Sequence, residues 1–138
     1  MEMTFNIKPL SSKDYDDILV NWWNDWGWTP PTKDFLPDSG KGGIMIYDED
    51  IPICAGFLYN TNSKVAWVDW IISNRNYRKS PERKDAVKLL VDTLTNVAKN
   101  TGNKYAYALI KHDRLVRSYE ELGYKKGDVY NKEMIKHL

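Results

Sequence analysis

Ser118-Tyr-Glu-Glu-Leu-Gly-Tyr124 decides the reading of this 138-residue chain. A glycine directly after a helical run supplies the left-handed residue that stops a helix. Leu115, Val116, Tyr119 and Leu122 recur at helical spacing before Gly123, so a short helix is predicted, capped by Asp113, with those side chains inward. Lys104–Ile110, just upstream, is rich in strand formers and predicts a buried strand. Asp128–Ile135, just downstream, predicts a last strand. The chain therefore closes on strand, short helix, glycine stop, aromatic, strand.

Working outward, Ser80-Pro81 opens the longest predicted helix, with serine as N-cap and proline at the first helical position. Val87, Leu90, Val91, Leu94, Val97 and Ala98 form its apolar stripe, and Gly102 ends it. Ile44–Tyr47, Ile53–Tyr59 and Val65–Ile72 are three β-rich runs. The turn sequences Asp48-Glu-Asp50 and Asn60-Thr-Asn-Ser63 separate them, which predicts an antiparallel meander. Phe5–Pro9 predicts a first strand. Ser11-x-x-Asp14 resembles a capping box, after which Tyr15, Ile18, Leu19, Trp22, Trp23 and Trp26 recur at helical spacing until Gly27. Thr32–Leu36 predicts one short second helix. The predicted order is β, α, α, β, β, β, α, β, α, β.

That order, closed by Tyr119-x-x-Leu122-Gly123-Tyr124, resembles the GCN5-related N-acetyltransferase family across nearly the whole chain. The resemblance implies one α/β (α+β) domain over residues 1–138, with a mixed, mostly antiparallel central sheet flanked by helices. It implies an acyl-CoA N-acyltransferase that takes acetyl-CoA as donor, needs no metal and acts on a primary amine carried by a small molecule or peptide. Dimers are common among such proteins, so a homodimer is compatible with it.

In the family, a loop reading Arg/Gln-x-x-Gly-x-Gly/Ala wraps the CoA pyrophosphate at the start of the long helix, where amides and the helix dipole favour anions. Ala86 matches the last small position, but Lys84 stands in place of the central glycine, with Arg83 before it. Between Arg75 and Lys88, six cations (Arg75, Arg78, Lys79, Arg83, Lys84, Lys88) face two anions, a local +4 in a chain of net charge +1. The expectation is that basic side chains supplement the backbone amides, with Arg78, Lys79, Ser80, Arg83, Lys84 and Ala86 around the phosphates. The alternative is an ordinary solvated helix start. The family pairs the pantetheine arm with the strand before the loop, here Ile71, Ile72 and Ser73. His112 stands where the family commonly has an asparagine that helps to hold the cofactor.

Acyl transfer to an amine needs a neutral amine, a stabilised oxyanion and a protonated leaving thiolate. Tyr119 matches the family tyrosine that protonates the thiolate; helical spacing alone reads it as a buried core residue. Asp69, among Trp67, Val68, Trp70 and Ile71, is the candidate general base, and burial would raise its pKa. Its alternative is a carboxylate hydrogen-bonded to a neighbour, and no protein base is needed if the amine arrives neutral. Trp26, Trp28 and Phe35 are candidate walls of the acceptor site, suited to an apolar or cationic group, or else a hydrophobic lid on the core.

Composition narrows the rest. A near-neutral chain makes no global electrostatic case for nucleic acid or membrane. The Arg75–Lys88 patch with tryptophan and tyrosine keeps a single-strand-binding reading open. One cysteine, Cys54, excludes an internal disulfide and a cysteine-cluster metal site. The N-terminus lacks a signal-peptide pattern, and no run approaches a membrane span, so a cytoplasmic protein is expected. A catalytically inactive relative, binding CoA or a protein partner, is the second functional reading, fed by the lost glycine and by His112.

Overall fold

The computed structural model describes residues 5–77 and 80–138. Strands β1 (Phe5–Pro9), β2 (Gly43–Asp48), β3 (Ile51–Asn60) and β4 (Val65–Ser73) form the antiparallel part of a five-stranded sheet in the order of the chain. After β4 the chain crosses through the 20-residue helix α2 (Pro81–Asn100). It re-enters as β5 (Tyr105–Tyr107), parallel to β4. Parallel pairing needs a long crossover connection, and the apolar-striped helix supplies it.

Side chains along β3 divide between two cores. Ile53 and Cys54 join Ile46, Val68 and the buried face of α2, formed by Ala86, Val87, Leu90, Val91, Leu94 and Ala98. Ala55 and Phe57 join Met45, Ile72 and the first helical segment on the other side of the sheet. That segment is a π-helical turn (Tyr15–Leu19) running into α1 (Val20–Asp25), and it buries Leu19, Trp22 and Trp23. The Asp14 carboxylate accepts the Ser11 amide at 2.7 Å, one half of the expected capping box. Gly27 ends the segment at φ +78°. Helix α3 (Asp113–Glu121) closes the order and buries Ser118 and Tyr119.

Four expectations need correction. Thr32–Leu36 holds only a single 3₁₀ turn at Lys33–Phe35, short because Pro37 follows. Val97 is exposed at the edge of the α2 stripe, and Ala86 is buried in addition. Lys104–Ile110 pairs over only Tyr105–Tyr107. Residues 128–135 form no strand: Val129, Met134 and Ile135 are exposed, and Tyr130 of the segment lies near Tyr107 of β5. β5 has already left its neighbour by then, so no long straight edge is offered for pairing.

Two irregularities shape the functional region. The β3–β4 register runs Phe57↔Asp69 and then Ala55↔Ile72, two steps on β3 against three on β4. The extra residue is a bulge at Trp70–Ile71. Trp70 lies at φ +57°, a left-handed conformation that costs a residue with a Cβ about 1–2 kcal/mol. Gly56 faces the bulge: a Cβ there would stand 2.5 Å from Ile71 Cδ1. The second irregularity is a fork. β4 and β5 pair from Val65↔Tyr105 to Trp67↔Tyr107 and no further.

Candidate active site

The fork is closed by side chains. The Val68 carbonyl, one residue beyond the last β4–β5 pair, accepts the Tyr119 hydroxyl at 2.7 Å. Asp69 accepts the Trp70 amide on Oδ1 at 2.9 Å and the Leu109 amide on Oδ2 at 3.1 Å. One carboxylate therefore holds both the bulge and the departing strand. Burial raises the Asp69 pKa, and the two backbone amides pull it back only in part. The Trp70 ring, thrown to the opposite face by the bulge, packs edge-on against Trp23 at 6.5 Å and Phe35 at 5.4 Å. That packing and the Asp69 contact hold Trp70 in its strained conformation.

Beside the fork lies a cavity of about 790 Å³, within the usual span of small-molecule sites. Its floor is Ile71, Ile72 and Ser73 of β4. One wall is the start of α2, with Ser80, Arg83, Lys84 and Val87. The other is the start of α3, with His112, Asp113, Arg114, Leu115 and Arg117, and Trp26 and Trp28 form the rim. Ser80 occupies the N-cap position, but its hydroxyl bonds the Glu82 carboxylate instead of capping the helix. Glu82 also accepts its own amide, and these contacts lower its pKa. Lys84 and Lys88 turn to Glu121 of α3, at 3.6 and 2.8 Å.

The rim is a ladder of flat groups. The Trp26 and Trp28 rings stack with centroids 5.6 Å apart and planes 15° apart. Trp28 stacks on His112 at 5.8 Å and 22°. Arg75 lies over the outer face of Trp26, 5.7 Å from the ring centroid, and donates to the Asp25 carbonyl. Trp26 Nε1 donates to the Ser73 carbonyl at 2.8 Å, which pins the rim to the end of β4. His112 precedes α3 in extended backbone and makes no side-chain cap; its ring belongs to the ladder.

The cavity thus gathers Ile71, Ile72, Ser73, Ser80, Arg83, Lys84, His112, Trp26 and Trp28 from the expected set. Ala86 is buried in the α2 core and does not line it. Phe35 packs on Trp70 and is not part of the rim. Arg78 and Lys79 lie outside the described residues. Tyr119 is only 2% exposed, and burial drives its pKa up; it stands at the fork, behind the cavity wall. Asp69 also lies off the lining, with each oxygen taken by a backbone amide. The Ser73 carbonyl, offered as a pairing partner, is already bonded to Trp26. Sequence reasoning passed over Arg114 and Arg117, whose i, i+3 spacing on the outer face of α3 was the available signal. Cys54 is fully buried and its thiol pKa is raised by that burial, as befits an inert core residue.

Several known structures with this architecture are acetyltransferases. Glucosamine-6-phosphate N-acetyltransferase from Arabidopsis thaliana superposes with a TM-score of 0.66 at 13% identity, covering 96% of this chain and 99% of that one. The fold is that of the GCN5-related N-acetyltransferases. AAC(6')-Iy, solved with the bisubstrate analogue CoA-S-monomethyl-acetylneamine, gives a TM-score of 0.67 at 10% identity over 97% and 99% of the two chains. A probable acetyltransferase from meticillin-resistant Staphylococcus aureus gives 0.64 at 17% identity over 94% and 100%. No family model and no curated protein sequence matches the chain. Among the described residues, no helix is long and apolar enough to cross a membrane.

Proposed function

We propose that this protein is a divergent acyl-CoA N-acyltransferase that moves acetyl from acetyl-CoA to a primary amine by direct attack, in the cytoplasm. One observation carries the reading: a cavity of about 790 Å³ opens beside a β4 bulge and a β4–β5 fork, between the starts of α2 and α3, in an acetyltransferase fold. The pantetheine arm would lie along the unpaired edge of β4 past Trp67, with its thioester at the fork. Trp70 and Ile71 have no register partner on β3, and the Ile71 backbone amide is the proposed donor to the oxyanion.

The neutral amine attacks the thioester carbonyl, and the tetrahedral intermediate collapses by breaking the C–S bond. Tyr119 is the proposed donor of the proton to the departing thiolate. Its raised pKa keeps it protonated across the neutral range, and it must turn from the Val68 carbonyl to reach the sulfur. The proton lost by the amine goes to water. A base at Asp69 would have to act through a carboxylate already bonded to two backbone amides, so we assign Asp69 a positioning role. The Trp26–Trp28–His112 ladder is the proposed acceptor wall, a surface suited to an amine that is cationic when it enters. Small amines are the proposed acceptor class, since AAC(6')-Iy binds its acceptor portion as part of a CoA conjugate.

The test is thiol release from acetyl-CoA over a panel of amino sugars, polyamines and peptide amines. Amine-dependent release, cut at least tenfold in Tyr119→Phe with acetyl-CoA affinity retained, supports the reading. A second reading, a non-catalytic CoA-binding or interaction module, is favoured by one fact: Tyr119 and Asp69 both spend their polar atoms on backbone. CoA binding without release across the whole panel would select it.

A further inference from the structure

Among the described residues, several groups expected to hold phosphates at the start of α2 are engaged elsewhere. Pro81 has no amide proton. The Glu82 amide is bonded to its own carboxylate, and the Arg83 amide points to the Ser80 carbonyl at 3.2 Å. Lys84 and Lys88 share Glu121. Arg83, Arg114 and Arg117 differ: all three line the cavity, and none forms an ion pair among the described residues. The acidic residue in the same lining, Asp113, pairs with none of them. Burial, and then the nearby charge of Arg114, both press the Arg83 pKa down. Like charges converging on one cavity without a paired counter-charge are relieved by an anion, and guanidinium forks fit phosphate oxygens in pairs.

We propose that Arg83 of α2 and Arg114 and Arg117 of α3 form a guanidinium cradle that holds a ligand through two or more phosphate groups. It rests on the preceding reading only in identifying those groups as the phosphates of CoA. The cradle takes over the task of the absent glycine loop, with side chains from two helices instead of amides from one. Arg114 and Arg117 are exposed on α3 and form no ion pair among the described residues, so their removal is expected to leave the fold intact.

The experiment is calorimetric titration of CoA, and separately of inorganic pyrophosphate, into the full chain and into R114A/R117A. R114K/R117K keeps the charge without the fork, and phosphate-free S-acetyl-pantetheine serves as a control. The cradle predicts that the alanine pair weakens CoA and pyrophosphate about tenfold or more and flattens their salt dependence. It predicts partial recovery in the lysine pair and no change for the pantetheine. CoA binding that is unchanged in R114A/R117A overturns the cradle and leaves the acyl-CoA reading standing. Pyrophosphate binding that depends on the arginines, with no CoA binding, overturns the acyl-CoA reading and leaves the cradle. Failure of the parent chain to bind either ligand overturns both.

Discussion

Asp69→Ala removes one carboxylate and strands two backbone donors 39 residues apart, those of Trp70 and Leu109. The Trp70 donor is part-buried, and leaving it without an acceptor costs about 1–3 kcal/mol. The Leu109 donor sits at an exposed contact where water replaces the carboxylate, so its loss adds about 0.5–1 kcal/mol. Relief of the buried charge offsets part of this, and the expected net destabilisation is about 2 kcal/mol. For a chain of this length each kcal/mol moves the melting temperature by about 3–5 °C, so Tm falls by about 6–10 °C. Asp69→Asn keeps one acceptor and should lose about half as much. Urea unfolding followed by tryptophan fluorescence reads the free energy, and amide exchange reads the two sites. Faster exchange is expected at Trp70 and Leu109 before global unfolding, because the contact sits at the bulge and the fork. Asp50→Asn, an exposed acid in the β2–β3 turn, should stay within about 0.5 kcal/mol. If Asp69→Asn keeps its stability and exchange pattern but loses turnover, Asp69 is the base and the positioning role is refuted.

Three further outcomes follow from the same geometry. Burial raises the Asp69 pKa, so the folded state holds that proton more tightly than the unfolded chain does. Its contribution is full below the unfolded value of about 3.9 and is lost as pH rises through the raised folded value. The stability gap between parent and Asp69→Ala, from urea titrations at several pH values, should therefore widen on acidification; a gap that narrows contradicts the raised pKa. Gly43→Ala would place a Cβ 2.0 Å from the Gly56 carbonyl oxygen of the paired strand, where backbone must shift. A loss of about 3 kcal/mol or more, or failure to fold, is expected in thermal melts, and a neutral result would contradict the β2–β3 register. Glu82→Gln removes the carboxylate that occupies the α2 start, so CoA affinity by calorimetry should rise about two- to fivefold at low salt. A weakened affinity would mean that Glu82 helps to build the site.

The β2–β4 meander, α2 and α3 were legible because each carries its own period and its own stop: turn residues between strands, Ser80-Pro81 before α2, and Gly102 and Gly123 after the helices. The last strand was not legible. Residues 128–135 carry strand-forming side chains, but a strand also needs an edge to join, and β5 ends at Tyr107. The role of Asp69 was hidden for a similar reason. Local sequence shows an acid among aromatics; its second oxygen meets an amide 40 residues away, at a fork that only the fold creates. The basic run before α2 was visible as charge, yet its partition was not. Glu121, from a different helix, takes Lys84 and Lys88 and leaves Arg83 to face the α3 arginines. Trp26, Trp28 and Phe35 form one group in the sequence, as candidate walls of an acceptor site. In the fold Phe35 packs on Trp70, which the bulge turns to the opposite face, while Trp26 and Trp28 stay on the cavity rim.

The most direct test of the acyl-CoA reading is calorimetric binding of acetyl-CoA to the unmodified chain, with 3′-dephospho-CoA beside it. Micromolar affinity that weakens without the 3′-phosphate is the predicted result. No binding at millimolar acetyl-CoA would contradict it, and would mean that the fold has been kept without its donor.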